Sequence, residues 1–263
     1  MTCRLIPTDL PFYSYGVLMV FAFVAGIALF AYNSRRCKIR LPDLLDLSLV
    51  MVLPSLLGAR VTYILLFPAQ FSSVRDYFAL HEGGLVFFGA LVTLIPAFVI
   101  YTRLKRLDPA VLSDFMVPSL AAGHAIGRIG CLINGCCYGV HTDLLHIYRL
   151  HSDATGCYRH PTQLYEMIFL AALSIYLSFL LKTTYQKTPL KKGIISAYYL
   201  IAYSFFRFLI EFIRGDERGG FFTCFHFSPS QLIASALLLC GAVWLIYCHK
   251  NSVDSGVNSY EQS

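Results

Sequence analysis

An arginine, an asparagine and three cysteines interrupt an apolar stretch of the chain at GRIGCLINGCCYG, residues 127–139. A charged side chain at the centre of a bilayer costs about 2.5–3.5 kcal/mol on insertion scales, so Arg128 must face a partner or a wet cavity. His124 and Cys131 lie four residues before and three residues after it, which places all three on one face of a helix. The spacing predicts a polar stripe around a guanidinium at membrane depth.

The same stretch holds four glycines, and we expect the backbone to loosen at Gly130, Gly135 and Gly139, with Asn134 between them. Irregular backbone at membrane depth is tolerated only where it is buried in protein or lines a cavity. Glycines also let main-chain N–H groups approach a ligand closely. The stretch therefore predicts the wall of a polar pocket. The alternative, in which small residues only let helices touch, explains the glycines but not the arginine.

A second charged group follows in RFLIEFIR, where Arg207, Glu211 and Arg214 share one helix face by their spacing of four and three. One interpretation is a buried ion pair that fastens the helix. Two arginines for one glutamate leave a positive charge, however, and the abundant anion in a membrane is a phospholipid phosphate. Arg60 is the third arginine inside an apolar run, with snorkelling from a helix end as the alternative.

The composition predicts the kind of protein that positions these arginines. The chain has 263 residues, 57% hydrophobic and 14% charged, with a mean hydropathy of +0.61. Soluble domains carry about 25% charged residues, so we expect an all-α integral membrane protein. The net charge of +6 comes from basic residues in short clusters between apolar runs, which argues against a nucleic-acid partner.

Seven stretches are long enough to span a bilayer: Tyr15–Tyr32, Leu47–Phe67, Gly84–Tyr101, Ala110–Ile133, Leu164–Leu181, Gly193–Ile213 and Gln231–Cys248.

The distribution of lysine and arginine predicts the orientation of these spans. Twelve of these residues fall on one side of the seven spans and six on the other. Because the positively charged side faces the cytoplasm, we expect the N-terminus outside and the C-terminus inside. We further expect residues 1–250 to form a single transmembrane domain, with 251–263 as a disordered cytoplasmic tail.

Six segments, in this order along almost the whole chain, carry a family resemblance. They are YSYGVLMV at 13–20, GARVTY at 58–63, GGLVFFG at 83–89, GRIGCLINGCCYG at 127–139, HPTQLYE at 160–166 and RFLIEFIR at 207–214. Together they resemble the prolipoprotein diacylglyceryl transferases, multi-pass enzymes of the bacterial inner membrane. The resemblance implies seven spans in the orientation given above, with an active site facing the outer leaflet.

The resemblance also implies a reaction. The diacylglyceryl group of phosphatidylglycerol would move to the thiol of a lipobox cysteine in a prolipoprotein, which releases glycerol phosphate and is the first step of lipoprotein maturation. No metal or organic cofactor is implied. The implied partners are phosphatidylglycerol, other membrane lipids and the lipobox segment.

Site residues follow from the matching motifs. Arg128 would bind the headgroup, and Arg207, oriented by Glu211, would stabilise the departing phosphate or guide the acceptor. Tyr15 and Asn134 would donate hydrogen bonds to the glycerol. The expected catalytic residues are Tyr15, His124, Arg128, Arg207 and Glu211. The expected substrate-binding residues are Arg60, Arg128, Asn134, Gly139 and Arg214. Glu166 is expected to pair with Arg159 or Arg60 in a structural role.

The chain departs from the family pattern at three positions. The family has asparagine, glutamate and histidine where this chain has Cys131, Cys136 and Phe88. That histidine is the family's candidate for deprotonating the thiol, which phenylalanine cannot do. A different group could serve instead, either His124 as the base or Arg207 by lowering the thiol pKa electrostatically. Alternatively, the chain is a divergent phospholipid-binding relative with another acceptor or no turnover.

The closely spaced cysteines suggest a lower-ranked alternative. Cys131, Cys136 and Cys137 lie within seven residues, a pattern compatible with a thiol-redox membrane protein or a metal site. Zinc sites usually take four ligands from two paired clusters, and the sequence holds no second pair. We therefore expect no metal.

Overall fold

The computed structural model of the chain describes residues 13–35, 41–68, 71, 73–78, 84, 86–142, 158–187, 192–215 and 227–257. These ranges are helical, with two isolated β-bridges and no strand within them. The helices are α1 (Tyr13–Ser34), α2 (Leu41–Leu66), α3 (Val74–Phe78), α4 (Phe87–Leu104), α5 (Pro109–Asn134), α6 (Thr162–Lys187), α7 (Ile194–Ile210) and α8 (Pro229–Val257). A 3₁₀ turn, Glu211–Ile213, follows α7 directly.

The prediction of an all-α integral membrane protein is confirmed. Among the described residues, six helices are long and apolar enough to cross a bilayer, namely α1, α2 and α5 to α8. The predicted third span corresponds to α4, whose apolar part is the shorter Gly89–Leu104. The count of seven spans therefore stays a prediction, as does the orientation.

The helices differ from the sequence prediction in several places, among them α2, which begins at Leu41, and α7, which ends at Ile210. The short helix α3 was not predicted. α5 runs without interruption from Pro109 to Asn134, so the expectation that the backbone loosens at Gly130 is wrong. α8 continues to Val257, into the segment expected to be a tail, while 258–263 lie outside the described residues. Gly130 stays helical because the hydrogen bonds of an unbroken helix satisfy the backbone in a membrane without help from water.

Contacts divide the chain into two compact units, residues 1–33 with 113–263 and residues 34–112. In the first unit, fully buried side chains from α5, α6 and α7 form the core: Phe115, Ala121, Leu170, Leu177, Ile195 and Ala197. α1 approaches α5 closely at Gly123, where an added Cβ would lie 3.1 Å from the carbonyl oxygen of Ala22. Small residues thus bring these two helices together.

A buried carboxylate from α5 organises the beginning of α7. Asp114 is fully buried, and its oxygens accept hydrogen bonds from the backbone N–H groups of Gly193 and Ser196, both at 2.8 Å. The hydroxyls of Ser196 (2.8 Å) and Tyr185 (3.1 Å) also donate to it. The first N–H groups of a helix have no partner within the helix, and its positive end attracts an anion. Asp114, which interrupts an apolar run in the sequence, therefore caps a neighbouring helix.

The second unit is held by close packing of α2 on α4. A Cβ added to Gly58 would lie 2.3 Å from the carbonyl oxygen of Gly89, and one added to Gly89 would lie 2.2 Å from that of Gly58. Thr93 donates a hydrogen bond to the carbonyl oxygen of Pro54 at 2.6 Å. Just after α4, Lys105 pairs with Asp43 and Asp46, and the hydrogen bonds to these carboxylates raise its pKa.

Candidate active site

The glycine- and cysteine-rich segment forms the end of α5. The N–H of Gly135 donates to the carbonyl of Leu132 (3.3 Å), and the N–H of Cys136 donates to that of Cys131 (3.1 Å). Gly135 has a φ of +67°, which glycine adopts without a Cβ clash. This is the Schellman pattern that terminates helices. The chain therefore leaves the helix less than two turns after Arg128.

Beyond this turn, the backbone of residues 138–140 lies between two other segments. The N–H of Gly139 donates to the carbonyl of His160, and the N–H of Val140 donates to that of Ile213, both at 2.9 Å. A Cβ on Gly139 would lie 2.5 Å from the Cβ of His160. Gly139 is thus required for close backbone approach, and its N–H already has a protein partner. Its predicted contact with substrate stays a prediction.

The segment that opens α6 supports the same turn from the other side. Thr162 donates its hydroxyl hydrogen to the carbonyl of Cys137 at 2.6 Å, and Gln163 donates its side-chain amide to the carbonyl of Cys136 at 2.7 Å. Both side chains are buried. One turn further along α6, Glu166 projects from the same end of the helix.

Five charged side chains form one alternating chain of ion pairs in the first unit. Arg128 on α5 pairs with Glu166 on α6 through Nε and Oε2. The other oxygen of Glu166 lies 3.4 Å from Nη1 of Arg214, whose Nε lies 3.8 Å from Glu211. Glu211 in turn pairs with Arg207 at 2.7 Å. We call this set, Arg128–Glu166–Arg214–Glu211–Arg207, the ion-pair chain.

The ion-pair chain has a net charge of +1 and two arginine ends. Each carboxylate lies between two guanidiniums, whereas Arg128 and Arg207 each contact one carboxylate among the described residues. The two end arginines have side-chain exposures of 12% and 13%, against 1% for Glu166 and 4% for Arg214. The two end arginines and Glu211, which is 11% exposed, are therefore the partly exposed members of the ion-pair chain.

The structure thus brings together Arg128, Arg207, Glu211 and Arg214, as the sequence predicted. It pairs Glu166 with Arg128 and Arg214, so the expected pairing with Arg159 or Arg60 is wrong. The reason is tertiary: α6 begins beside the end of α5, and 38 residues of chain separate the two partners.

His124 lies beside this cluster. Its ring contacts Tyr203 of α7 edge to face, with 5.5 Å between the centroids. The guanidiniums of Arg128 and Arg207 are near enough to act electrostatically on both His124 and Tyr203. His124 therefore faces the arginines. Sequence reasoning missed Tyr203, since it lies in an apolar run of aromatic residues with no marking motif.

Three other residues named in the sequence analysis, Asn134, Tyr15 and Phe88, are not members of the ion-pair chain. Asn134 is the last residue of α5, and its side chain lies near the thiol of Cys136. Tyr15 lies in α1 and Phe88 in α4, but their side chains are outside the described part of the structure. The predicted role of Tyr15 and the consequence of the Phe88 departure are therefore not tested.

Arg60 lies in the second unit and contacts main-chain oxygens there. It donates to the carbonyls of Asp76 (2.5 Å), Tyr77 (3.3 Å) and Gly84 (3.2 Å). Its guanidinium also lies 5.2 Å from the ring centroid of Phe71. Arg60 thus neutralises the carbonyl end of α3. This contact set organises the segment between α2 and α4, and binding of substrate by Arg60 stays a prediction.

The fold defines a helical membrane protein with a buried cluster of charged side chains, and comparisons with known proteins give the family. Residues 4–247 match the family model for prolipoprotein diacylglyceryl transferase. A phosphatidylglycerol–prolipoprotein diacylglyceryl transferase from Bordetella bronchiseptica is 32% identical over 242 residues, covering 91% of each chain. The enzyme of the same name from Synechococcus elongatus is 33% identical over 77% of this chain and 73% of its own.

A third relative of that name, from Clostridium tetani, is 28% identical over 88% of this chain and 91% of its own. This chain therefore belongs to the prolipoprotein diacylglyceryl transferase family, a family of transferases. The resemblance found from the six sequence segments is confirmed.

Proposed function

We propose that this protein transfers the diacylglyceryl group of phosphatidylglycerol to the lipobox cysteine of prolipoproteins. The names of its relatives supply the two substrate classes. The single observation that supports this activity is the ion-pair chain, which has a net positive charge and two partly exposed guanidiniums inside a membrane protein. A phospholipid phosphate is the anion that such a site meets in a bilayer.

Arg128 binds the phosphate of the headgroup in this proposal. Glu166 fixes one edge of its guanidinium, which leaves other N–H groups to form two parallel hydrogen bonds with phosphate oxygens. Tyr203 of α7 lies close to the same guanidinium. A guanidinium held in this way is oriented before the lipid arrives, and this reduces the entropy lost on binding.

Arg207 acts at the other end of the ion-pair chain. Glu211 holds it at 2.7 Å, and Ser228 holds Glu211 in turn by donating its hydroxyl hydrogen at 2.8 Å. Arg207 stabilises the charge that grows on the departing phosphate or guides the acceptor. Arg214 positions both carboxylates, and its predicted contact with the lipid stays a prediction. Asn134, Gly139, Tyr15 and Arg60 complete the proposed lipid-binding set.

The chemical step forms one bond and breaks another. The acceptor thiolate attacks the terminal glycerol carbon of the diacylglyceryl group, so that a C–S bond forms as the C–O bond to phosphate breaks. The bonding electrons leave with glycerol phosphate, whose charge is stabilised by guanidiniums already in place. The thiol proton goes to a base, for which His124 is the candidate in this chain because it lies beside both arginines.

The membrane arrangement is part of the proposal. α4 is a span in addition to the six longer helices, which makes seven in total. The N-terminus is outside, and the site faces the outer leaflet of the bacterial inner membrane. The excess of lysine and arginine on one side of the spans supports this orientation. The chain then functions as one transmembrane domain.

A direct assay tests the activity. Full-length protein in detergent is given phosphatidylglycerol and a peptide with a lipobox cysteine, and the diacylglyceryl thioether is sought by mass spectrometry. We expect product with the natural chain and a loss of about 100-fold or more in Arg128→Ala, by analogy with the removal of one oxyanion donor. Arg103→Ala, which changes an exposed arginine at the end of α4, is the matched control and keeps activity.

Two outcomes would contradict the proposal. Folded protein that binds phosphatidylglycerol but yields no thioether would identify a divergent lipid-binding relative, in keeping with Phe88 at the family's histidine position. Product formation that is unchanged in Arg128→Ala would remove Arg128 from the site.

A further inference from the structure

Three cysteine sulfurs lie together beside the ion-pair chain. The Sγ atoms of Cys131, Cys136 and Cys137 are all within 4.8 Å of one another. All three are reduced, Cys137 is buried, and the other two are partly exposed. The proposed transfer reaction gives these three thiols no role. Two of them, Cys131 and Cys136, stand where the resemblance implies asparagine and glutamate.

The end of α5 explains how this cluster forms. In the Schellman pattern the N–H of Cys136 bonds the carbonyl of Cys131, so residues five apart in sequence become neighbours. Cys137 has a φ of +64°, a conformation that side chains other than glycine, asparagine and aspartate rarely adopt. Hydrogen bonds from Thr162 and Gln163 hold the carbonyls of Cys137 and Cys136. The surroundings thus fix the backbone that presents the thiols.

The separations suit a shared ion better than a chance contact. Three thiolates around one cation at roughly 2.3 Å each lie about 4 Å from one another. Since no observed separation exceeds 4.8 Å, none needs to shrink by more than about 1 Å. A disulfide would instead require two sulfurs at about 2.05 Å, with the third excluded.

Ligand type and number select the ion. Thiolates are soft ligands that favour Cu(I) and Zn(II) over harder cations. Zn(II) is almost always four-coordinate in structural sites, whereas the cluster found among the described residues supplies three ligands. Cu(I) forms stable three-coordinate thiolate complexes and needs no fourth ligand. The cluster therefore matches Cu(I).

The charge of the surroundings also fits. A Cu(I) ion with three thiolates carries a net charge of −2. The guanidinium of Arg128, one end of an ion-pair chain with net charge +1, interacts electrostatically with Cys131 and Cys137. An anionic metal–thiolate complex would thus have a counter-ion on the same helix face, which reduces the cost of burying it.

We propose that Cys131, Cys136 and Cys137 bind one Cu(I) ion in a three-coordinate thiolate site next to Arg128. Binding forms three Cu–S bonds, and the three S–H protons pass to the buffer, with no change in oxidation state. The site does not depend on the proposed transfer activity, because its ligands and its ion are separate from that chemistry.

The test is Cu(I) binding by the reduced full-length protein in detergent under anaerobic conditions. Cu(I) is supplied as its acetonitrile complex against the chelator bathocuproine disulfonate, and X-ray absorption then counts the sulfur ligands. We expect tight binding with three sulfurs at roughly 2.3 Å. Each of Cys131→Ser, Cys136→Ser and Cys137→Ser should weaken binding about 100-fold or more. Cys240→Ser, at an exposed thiol on α8, is the matched control and should bind as the natural chain does.

Three results would overturn the proposal. The chelator could remove all copper from the natural chain, or Cys131→Ser could hold copper as tightly as Cys240→Ser does. The third result has two parts: the reduced protein binds no copper, and the oxidised protein forms a disulfide between two of the three cysteines. That result would favour a thiol-redox role. Thermal unfolding of each variant verifies folding. Cys131→Ser and Cys136→Ser decide the test if Cys137→Ser does not fold, because both of their side chains are only partly buried.

Discussion

Glu166 is the residue on which the buried charges of the first unit converge. Its two oxygens contact two arginines from different segments, and its side chain is 1% exposed. A buried charge is tolerated only when it is paired, and here one carboxylate compensates parts of two guanidiniums. The orientation of Arg128 and the stability of the site are therefore set by the same side chain.

We expect Glu166→Gln to destabilise the protein by about 3–5 kcal/mol, since it leaves two buried arginines without their shared counter-ion. Thermal unfolding in detergent measures this loss. Asp46→Asn is the control, because Asp46 is 54% exposed and its pair with Lys105 should contribute no more than about 1 kcal/mol. Equal unfolding temperatures for the two variants would show that Glu166 does not compensate the arginines.

At the scale of the helices, caps and chain ends position the site more than helix interiors do. The end of α5 turns back through Gly135, the beginning of α6 supplies Thr162 and Gln163, and Asp114 caps α7. In a bilayer an unsatisfied N–H or C=O group costs several kcal/mol, so each helix end needs such a partner. The residues that meet this need also bring α5, α6 and α7 together around the ion-pair chain.

Asp114→Asn should reduce stability by about 1.5–3 kcal/mol, the usual value of hydrogen bonds to a charged group. The amide NH₂ that replaces one oxygen cannot accept from the N–H groups of α7. The matched control is Asp108→Asn, because exposed Asp108 accepts from the N–H groups of Ala110 and Val111 at the beginning of α5. Asparagine caps an exposed helix N-terminus about as well as aspartate does, so that variant should change little. Chemical or thermal unfolding compares the two, and equal losses would refute the buried-cap interpretation.

At the scale of the whole molecule, the long apolar helices are those of a multi-pass membrane protein. The match over residues 4–247 places it in the prolipoprotein diacylglyceryl transferase family. Six helices have the length and composition of spans, and α4 is the shorter candidate for a seventh. Twelve lysine and arginine residues on one side against six on the other predict which side faces the cytoplasm.

Reporter fusions should show this topology. Alkaline phosphatase fused after residue 220, on the expected outer side, should be active, and the same enzyme fused after residue 263 should be inactive. A fluorescent protein at residue 263 should fluoresce, because it folds in the cytoplasm. The expectation rests on the positive-inside bias and on α4 as a span. Activity of the phosphatase at both positions would mean that the span between them does not cross.

The sequence by itself determined the parts that depend on local spacing and composition. A helix is the one structure that an isolated apolar segment can form in a bilayer with all its backbone groups satisfied, so the helices follow from apolar length. Arg207 and Glu211 were predictable as neighbours because a four-residue step shares a helix face. Arg214 meets Glu211 from an extended position after the 3₁₀ turn, so the predicted common helix face does not extend to it. The family was predictable because six motifs occur in order.

Only the tertiary structure decided which distant side chains meet. Glu166 contacts Arg128 rather than Arg60 because α6 begins beside the end of α5, a placement that no local pattern encodes. Cys131 meets Cys136 and Cys137 because the chain reverses at Gly135 rather than loosening at Gly130. Helix ends and long-range contacts depend on which elements pack together, and that choice is made by the whole chain.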